Sequence, residues 1–391
     1  MSAATEAALR GRRPAPRVRR GFRLGISQRQ FLVVLAAVFI ILLLLMVLED
    51  GAGTAGNEVW RGVVLGAIYA LVAVGYTLVY GIIELINFAH GDVFTLSAFY
   101  SVFLAGIPGV QEGFFQRFFG FDINHLASSG GGGLVLALLI IFPIAMTLAG
   151  LTGVLIERVA YRRLRDAPRL APLITAVGVS FLLEGIMFAF FVPPAPPGQP
   201  GLGTPGAAYP TGEDGWIPTT RALFTIGGKN GIVIGANDMM VVVVALVAMF
   251  ALAAFIRYST IGKAMRASAQ NRDAALLCGI NINRTISATF FIGSAMAAVG
   301  GIIYAMHYHT ITWNQGYQFG LIAFTAAVLG GIGNIVGAGI GGFLIGLVEA
   351  FTVTLVPNGG SWALIAVFAV LILVLTLQPT GLLGMRVPDR A

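Results

Sequence analysis

Charge is what this sequence has least of. Only 10% of its 391 residues are Asp, Glu, Lys or Arg, while 57% are hydrophobic, and the mean hydropathy is +0.87. A soluble domain carries about 25% charged residues. Too few polar groups are present to cover a water-facing surface, so the solvent of this chain must be lipid. The one cysteine, Cys278, excludes an internal disulfide framework and a cysteine-built metal site. The four histidines (His90, His125, His307, His309) show no HExxH or other helical metal spacing. The His307/His309 pair reads as loop decoration. A phosphate-binding loop is also missing: Gly228-Lys229 is followed by Asn230 and Gly262-Lys263 by Ala264, so neither has the Ser/Thr that would hold magnesium. If ATP powers this protein, another subunit hydrolyses it, and neither catalytic residues nor a cofactor nor a metal is expected here.

The charge that is present is basic and unevenly placed. The formal net charge is +7, yet the basic residues stand beside apolar runs, which marks membrane orientation and not a nucleic-acid partner. Residues 1–30 hold eight arginines and no apolar run, and read as a basic arm on the cytoplasmic leaflet, attracted by anionic lipid. Arg19-Arg20-Gly21-Phe22 resembles a twin-arginine export signal. The apolar run after it, 31–48, has 18 residues and spans roughly 27 Å as a helix, so it reads as an uncleaved first span in a 31–391 transmembrane domain. Further apolar segments follow at 62–82, 93–107, 133–155, 171–192, 236–256, 285–306, 319–332, 335–355 and 361–378. The glycine-rich stretch 319–355 is too long for one crossing and must fold back or re-enter. The fold class expected is all-α: a polytopic transmembrane bundle of about eight to ten spans.

Orientation follows from the same charges. With the N-terminus inside, eight basic residues fall in 1–30, five in 156–170, five in 257–284 and two in 379–391, leaving Arg61, Arg117, Arg221 and Lys229 outside. All four tryptophans (Trp60, Trp216, Trp313, Trp362) fall at the external ends, where an indole sits at the headgroup level. Both termini are therefore expected in the cytoplasm of a plasma-membrane protein. Residues 193–232, with seven prolines between Pro193 and Pro210, read as an external loop too proline-rich for helix. The aromatic stretch 113–119 is expected in the outer interface.

Three polar or glycine-rich clusters carry the functional reading. The internal loop 257–284 can form a short helix along the membrane, with Gly262 and Arg266 before it. Its Asp273-Ala274-Ala275, followed by Gly279, matches the EAA---G core of ATP-binding-cassette (ABC) import permeases, with Asp in place of Glu. Small alanines would seat such a helix in a cleft of another protein, and the glycine would turn the chain away. An ordinary amphipathic loop is the alternative. The second cluster is Asn87, His90, Gly91 and Asp92, after Glu84. Ionisable groups at membrane depth are costly and face an interior path, so this segment reads as a partly buried break at a translocation path or gate, against a plain turn or a helix cap. For Glu184 and Glu349, inside apolar helices, the alternatives are a pathway residue and a structural hydrogen bonder, and the structural reading is favoured. The third is Gly333, Gly337 and Gly341, a stripe every four residues for helix packing.

Together, ELINFAHGD (84–92), ERVAYRRLR (157–165), PLITAVGVSFLLE (172–184), GKAMRASAQNRDAALLCGIN (262–281) and AVLGGIGNIVGAGIGGFLIGLVEA (327–350) resemble the branched-chain amino-acid ABC permeases, specifically the high-affinity H-type subunit. The blocks run in that family's order from about residue 58 to 385. The basic arm, the first helix and the proline-rich loop look like elaborations. The resemblance implies a permease subunit paired with a second, M-type permease, two cytoplasmic ATPase subunits and an extracytoplasmic solute-binding protein that sets specificity. Relatives with the same signature carry urea or short amides. Two rival readings start from the residues alone: a secondary transporter or channel relaying protons or ions through Glu84, His90 and Asp92, and an intramembrane enzyme using His90 and Asp92. Neither needs the EAA-like loop.

Overall fold

The computed structural model describes residues 28–384 except 86, 108–110, 166, 169, 192–205, 209–221, 227–230 and 379. The basic arm up to residue 27, most of the proline-rich loop and the C-terminal end lie outside the described residues. Each of the ten apolar segments is a helix. The long ones are α1 (Gln28–Asp50), α2 (Ala52–Ile83), α3 (Ala89–Ala105), α6 (Gly131–Ile156), α7 (Leu170–Phe191), α8 (Ala236–Tyr258), α11 (Ile282–Tyr308), α12 (Gln315–Gly330), α13 (Ile335–Leu355) and α14 (Gly359–Leu377). Between them lie four short helices: α4 (Phe114–Phe119), α5 (Ile123–Ser128), α9 (Thr260–Gln270) and α10 (Arg272–Leu277). Among the described residues, eight helices are long and apolar enough to cross a membrane. The other two, α3 and α12, have only 17 and 16 residues.

The helices divide into an inner and an outer set. In α2 and α11 the apolar windows are almost wholly buried, whereas α1, α7 and α14 leave theirs mostly exposed. The outer helices turn Leu44, Phe190, Phe250 and Ile372 outward, a surface that only lipid or another apolar subunit can cover. Inside, glycine lets backbones touch. A Cβ on Gly346 would lie 2.3 Å from the Gly66 nitrogen, and one on Gly342 would lie 2.4 Å from Ala70 Cα, so α13 and α2 cross with no side chain between them. Such small-residue contacts replace the hydrophobic driving force that lipid removes.

The chain ends its helices in two groups. At one end, here the basic end, lie 84–85, 87–88, 157–165, α9–α10, 331–334, 378 and 380–384. Arg272 donates to the Ile82 carbonyl at 2.6 Å, Leu382 N–H to Leu329 O at 2.8 Å, and Asn334 Nδ2 to Leu383 O at 2.9 Å. At the other, the hairpin end, β2 (Ala222–Ile226) pairs antiparallel with β3 (Ile232–Gly235), and β1 (Gly206–Ala208) with β4 (Thr310–Thr312). Asn57, near the start of α2, brackets the hairpin through Val233 N–H and Gly231 O. Trp60 donates to Asp238 at 3.2 Å, and Trp313 and Trp362 stand at this end as well. The aromatic stretch forms α4, with Phe118 and Phe119 exposed. The glycine-rich stretch folds back at 331–334 between α12 and α13.

Candidate functional site

The break after α2 rises back into the bundle. Glu84 is exposed and closes α2 in the left-handed conformation, φ 59°, with its N–H on the Tyr80 carbonyl. By Ala89 the chain is helical again, and α3 starts at depth: the His90 ring lies where a Cβ on Gly75 would stand, 2.5 Å away. Gly75 precedes the end of α2 at Ile83 by eight residues, or about 12 Å of helix. Asn87, His90 and Asp92 are all buried. Asn87 accepts from the Tyr161 hydroxyl at 3.0 Å, Asp92 accepts from the Ser180 hydroxyl, and His90 meets the edge of Tyr76 with ring centroids 4.7 Å apart. His90 Nε2 and Asp92 Oδ1 have no hydrogen-bond partner among the described residues. Gly91 permits the closest approach, since a Cβ there would lie 2.1 Å from Gly316 O. The structure therefore brings Asn87, His90, Gly91 and Asp92 together and leaves Glu84 apart at the surface. It also differs from simple capping: no side chain caps the start of α3, and Asp92 turns to α7 instead.

The loop 257–284 is built as two short helices. Ser259 caps α9 through Gly262 N–H, and Asn271 caps α10 through the N–H groups of Asp273 and Ala274. Gly262 is buried against Ile256, Arg266 reaches back to the Ile256 carbonyl, and Gly279 leaves α10 at φ 80°. Asp273 and Ala274 face outward, but Ala275 faces inward and is 3% exposed. This corrects the expectation that both alanines offer smallness to another protein. The outward apolar surface is Leu276 and Leu277, the latter 91% exposed. The helical period forces the exchange: one position on, the side chain points about 100° away.

A second polar knot escaped sequence reasoning about sites. After α6 a π-helical turn, Glu157–Tyr161, aims the fully buried Glu157 at the base of α11. Arg162 donates to both of its oxygens, Arg165 to one, and Ser287 to Oε2 at 2.7 Å, while Arg165 also reaches Asn283 Oδ1 at 2.6 Å. Burial lowers the Arg165 pKa and the neighbouring carboxylate opposes that shift. The only signal in the sequence is Glu157 followed by arginines five and eight positions on, which a straight α-helix would spread over about 140° of its circumference and about 12 Å of its length. Of the glycine stripe, Gly337 and Gly341 lie against the Gly330 and Ala326 carbonyls of α12. Gly333 does not join them: it sits in the turn at φ 89° with open space around it, so its role is conformational. At the hairpin end His307 lies 3.5 Å from Asp238, and partial burial pushes the His309 pKa below its ordinary value. No metal-holding group of His, Cys, Asp or Glu occurs among the described residues.

A multi-pass helical bundle with backbone glycine contacts, a polar break buried between its helices and a capped two-helix platform at one end is a membrane permease of the ABC-importer class. Residues 59–375 match the family described as "Branched-chain amino acid transport system / permease component", and the chain belongs to that family. It is 38% identical over 329 residues, 84% of this chain and 95% of theirs, to the high-affinity branched-chain amino acid transport system permease proteins BraD of Pseudomonas aeruginosa and LivH of Escherichia coli. A shorter stretch of 99 residues, 25% of this chain and 29% of the relative, is 31% identical to the galactose/methyl galactoside import permease protein MglC of Haemophilus influenzae.

Proposed function

We propose that this chain is the H-type subunit of a branched-chain amino-acid importer. It pairs with an M-type permease, is driven by two cytoplasmic ATPases and receives its solute from an extracytoplasmic binding protein. The observation that carries this reading is the 38% identity to BraD and LivH over 95% of their length. The basic end is then cytoplasmic, as its arginines favour, and α9–α10 meet the ATPase through Leu276 and Leu277. Closure of the ATPase pair on ATP moves that platform, and α8 and α11, which flank it directly in sequence, carry the motion into the bundle. Asn87, His90, Gly91 and Asp92 shape the inner part of the path, where a zwitterion needs polar partners because bare hydrocarbon is prohibitive. Helices α2, α12 and α13 meet through Gly337 and Gly341 and the other glycines.

Reconstitution tests the assignment. The chain is co-purified with an M-type permease and the ATPase subunits of the same organism and placed in proteoliposomes with a branched-chain amino-acid-binding protein. ATP-dependent uptake of radiolabelled leucine, isoleucine or valine is expected. Uptake of urea or a short amide in their place, or leucine uptake without ATP, would overturn it.

A further inference from the structure

Glu349 is an ionisable group inside the bundle that neither the polar break nor the platform uses. It stands on α13, fourteen residues after Ile335 and six before Leu355, so about 21 Å and 9 Å from the two helix ends and well inside the hydrocarbon. Its carboxylate accepts one hydrogen bond, from the Tyr69 hydroxyl at 2.7 Å. Among the described residues it has no cation within ion-pair reach. It is also not sealed in the core: Glu349 is half-buried, and Tyr308, with which it interacts electrostatically, is 41% exposed. A charged or strongly polar group at this depth does not face lipid; it faces protein or water.

Its surroundings are aromatic and ordered. Phe319 packs on Tyr69 (5.4 Å between centroids) and on Tyr304 (4.7 Å), and Tyr304 packs on Tyr308 (4.6 Å). Gln315 donates to the Tyr304 hydroxyl and fixes that ring. A carboxylate with no cation partner among the described residues, close to several aromatic rings, suits an ammonium group, by ion pairing and by cation–π attraction, and the same rings suit a branched aliphatic side chain.

We propose that Glu349, with Tyr69, Tyr304 and Tyr308, forms a subsite in the hairpin-end half of the translocation path that holds the ammonium of a passing α-amino acid. The proposal rests on the importer reading above. The rival partner for the Glu349 carboxylate is a Lys or Arg of the partner permease.

The assembled transporter in proteoliposomes decides between them. Glu349→Gln keeps an acceptor for Tyr69 and removes only the charge. It is expected to co-purify the partner permease at wild-type yield and to lower leucine uptake at least tenfold, whereas Tyr69→Phe, which leaves the carboxylate in place, lowers uptake less. Glu349→Cys in a Cys278→Ser background is expected to react with a charged, membrane-impermeant thiol reagent. Uptake by Glu349→Gln within twofold of wild type overturns the proposal, and so does loss of the partner permease or a thiol protected in every nucleotide state. If the wild-type complex takes no branched-chain amino acid, the importer reading fails on its own terms, and thiol accessibility still decides whether position 349 lines an aqueous path.

Discussion

At Gly91 the space for one methyl group decides whether two helices can meet. A Cβ at this position would collide with Gly316 O at 2.1 Å and Gly320 Cα at 2.6 Å, both backbone atoms that cannot turn aside. Gly91→Ala is therefore expected to destabilise the bundle by about 1–3 kcal/mol, the usual range for overpacking. A clearly lower melting temperature in detergent should show it, with Gly178→Ala, where nothing lies within 4 Å, as control. Equal melting of the two variants would contradict the close crossing. Asp92 and Ser180 offer a second test at this scale. Removing the hydroxyl leaves a buried carboxylate without its side-chain partner, whereas removing the carboxylate leaves a hydroxyl free to bond a carbonyl of its own helix. Ser180→Ala should thus lower stability by about 1–3 kcal/mol more than Asp92→Ala, and the double variant should resemble Asp92→Ala. Additive losses in a thermal-melt cycle would dismiss the pair.

Helix α10 shows how an element's face is set by its register. Because Ala275 points into the bundle and Leu277 away from it, the two positions answer different questions. Leu277→Asp is expected to leave expression and melting unchanged while reducing ATPase co-purification several-fold. Ala275→Trp should harm folding first, since the site has room for a methyl group only. A Leu277→Asp variant that retains the ATPase would remove α10 from the contact. The Glu157 clamp belongs to the same scale, because it ties the end of α6 to the base of α11, one short turn beyond α10. Breaking a buried ion pair by removing one partner costs about 3–5 kcal/mol. Arg162→Ala, with Arg165 still in place, should cost less than Glu157→Ala by chemical denaturation, and the reverse order would refute the clamp geometry.

For the molecule as a whole, the test is sidedness. The basic end and the hairpin end are far apart along α2, whose 32 residues are about 48 Å long. Cysteines introduced by Ser2→Cys, Gly203→Cys and Ala391→Cys should divide accordingly: impermeant label reaches position 203 from outside intact cells and reaches the termini only after permeabilisation. External labelling of position 2 would invert or shorten the ten-helix path.

Composition and the apolar runs were enough for the bundle. A chain with 10% charge has to bury its backbone polar groups in helices when lipid surrounds it, and the ten apolar segments mark those helices to within about four residues, except that α2 begins ten residues before its segment. The motif blocks led to the family because each keeps its order along the chain. Three things needed the tertiary structure. Which of α2, α11 or α14 stands inside depends on which backbones touch, and similar hydropathy fits either place. The depth of Asn87, His90 and Asp92 depends on how far the chain climbs after Glu84, a matter of backbone path that a six-letter motif does not encode. The surroundings of Glu349 depend on Tyr69, which lies 280 residues away in the chain. A carboxylate in an apolar helix reads the same whether it is sealed in the core or open at the bundle surface, because burial is a property of the neighbours.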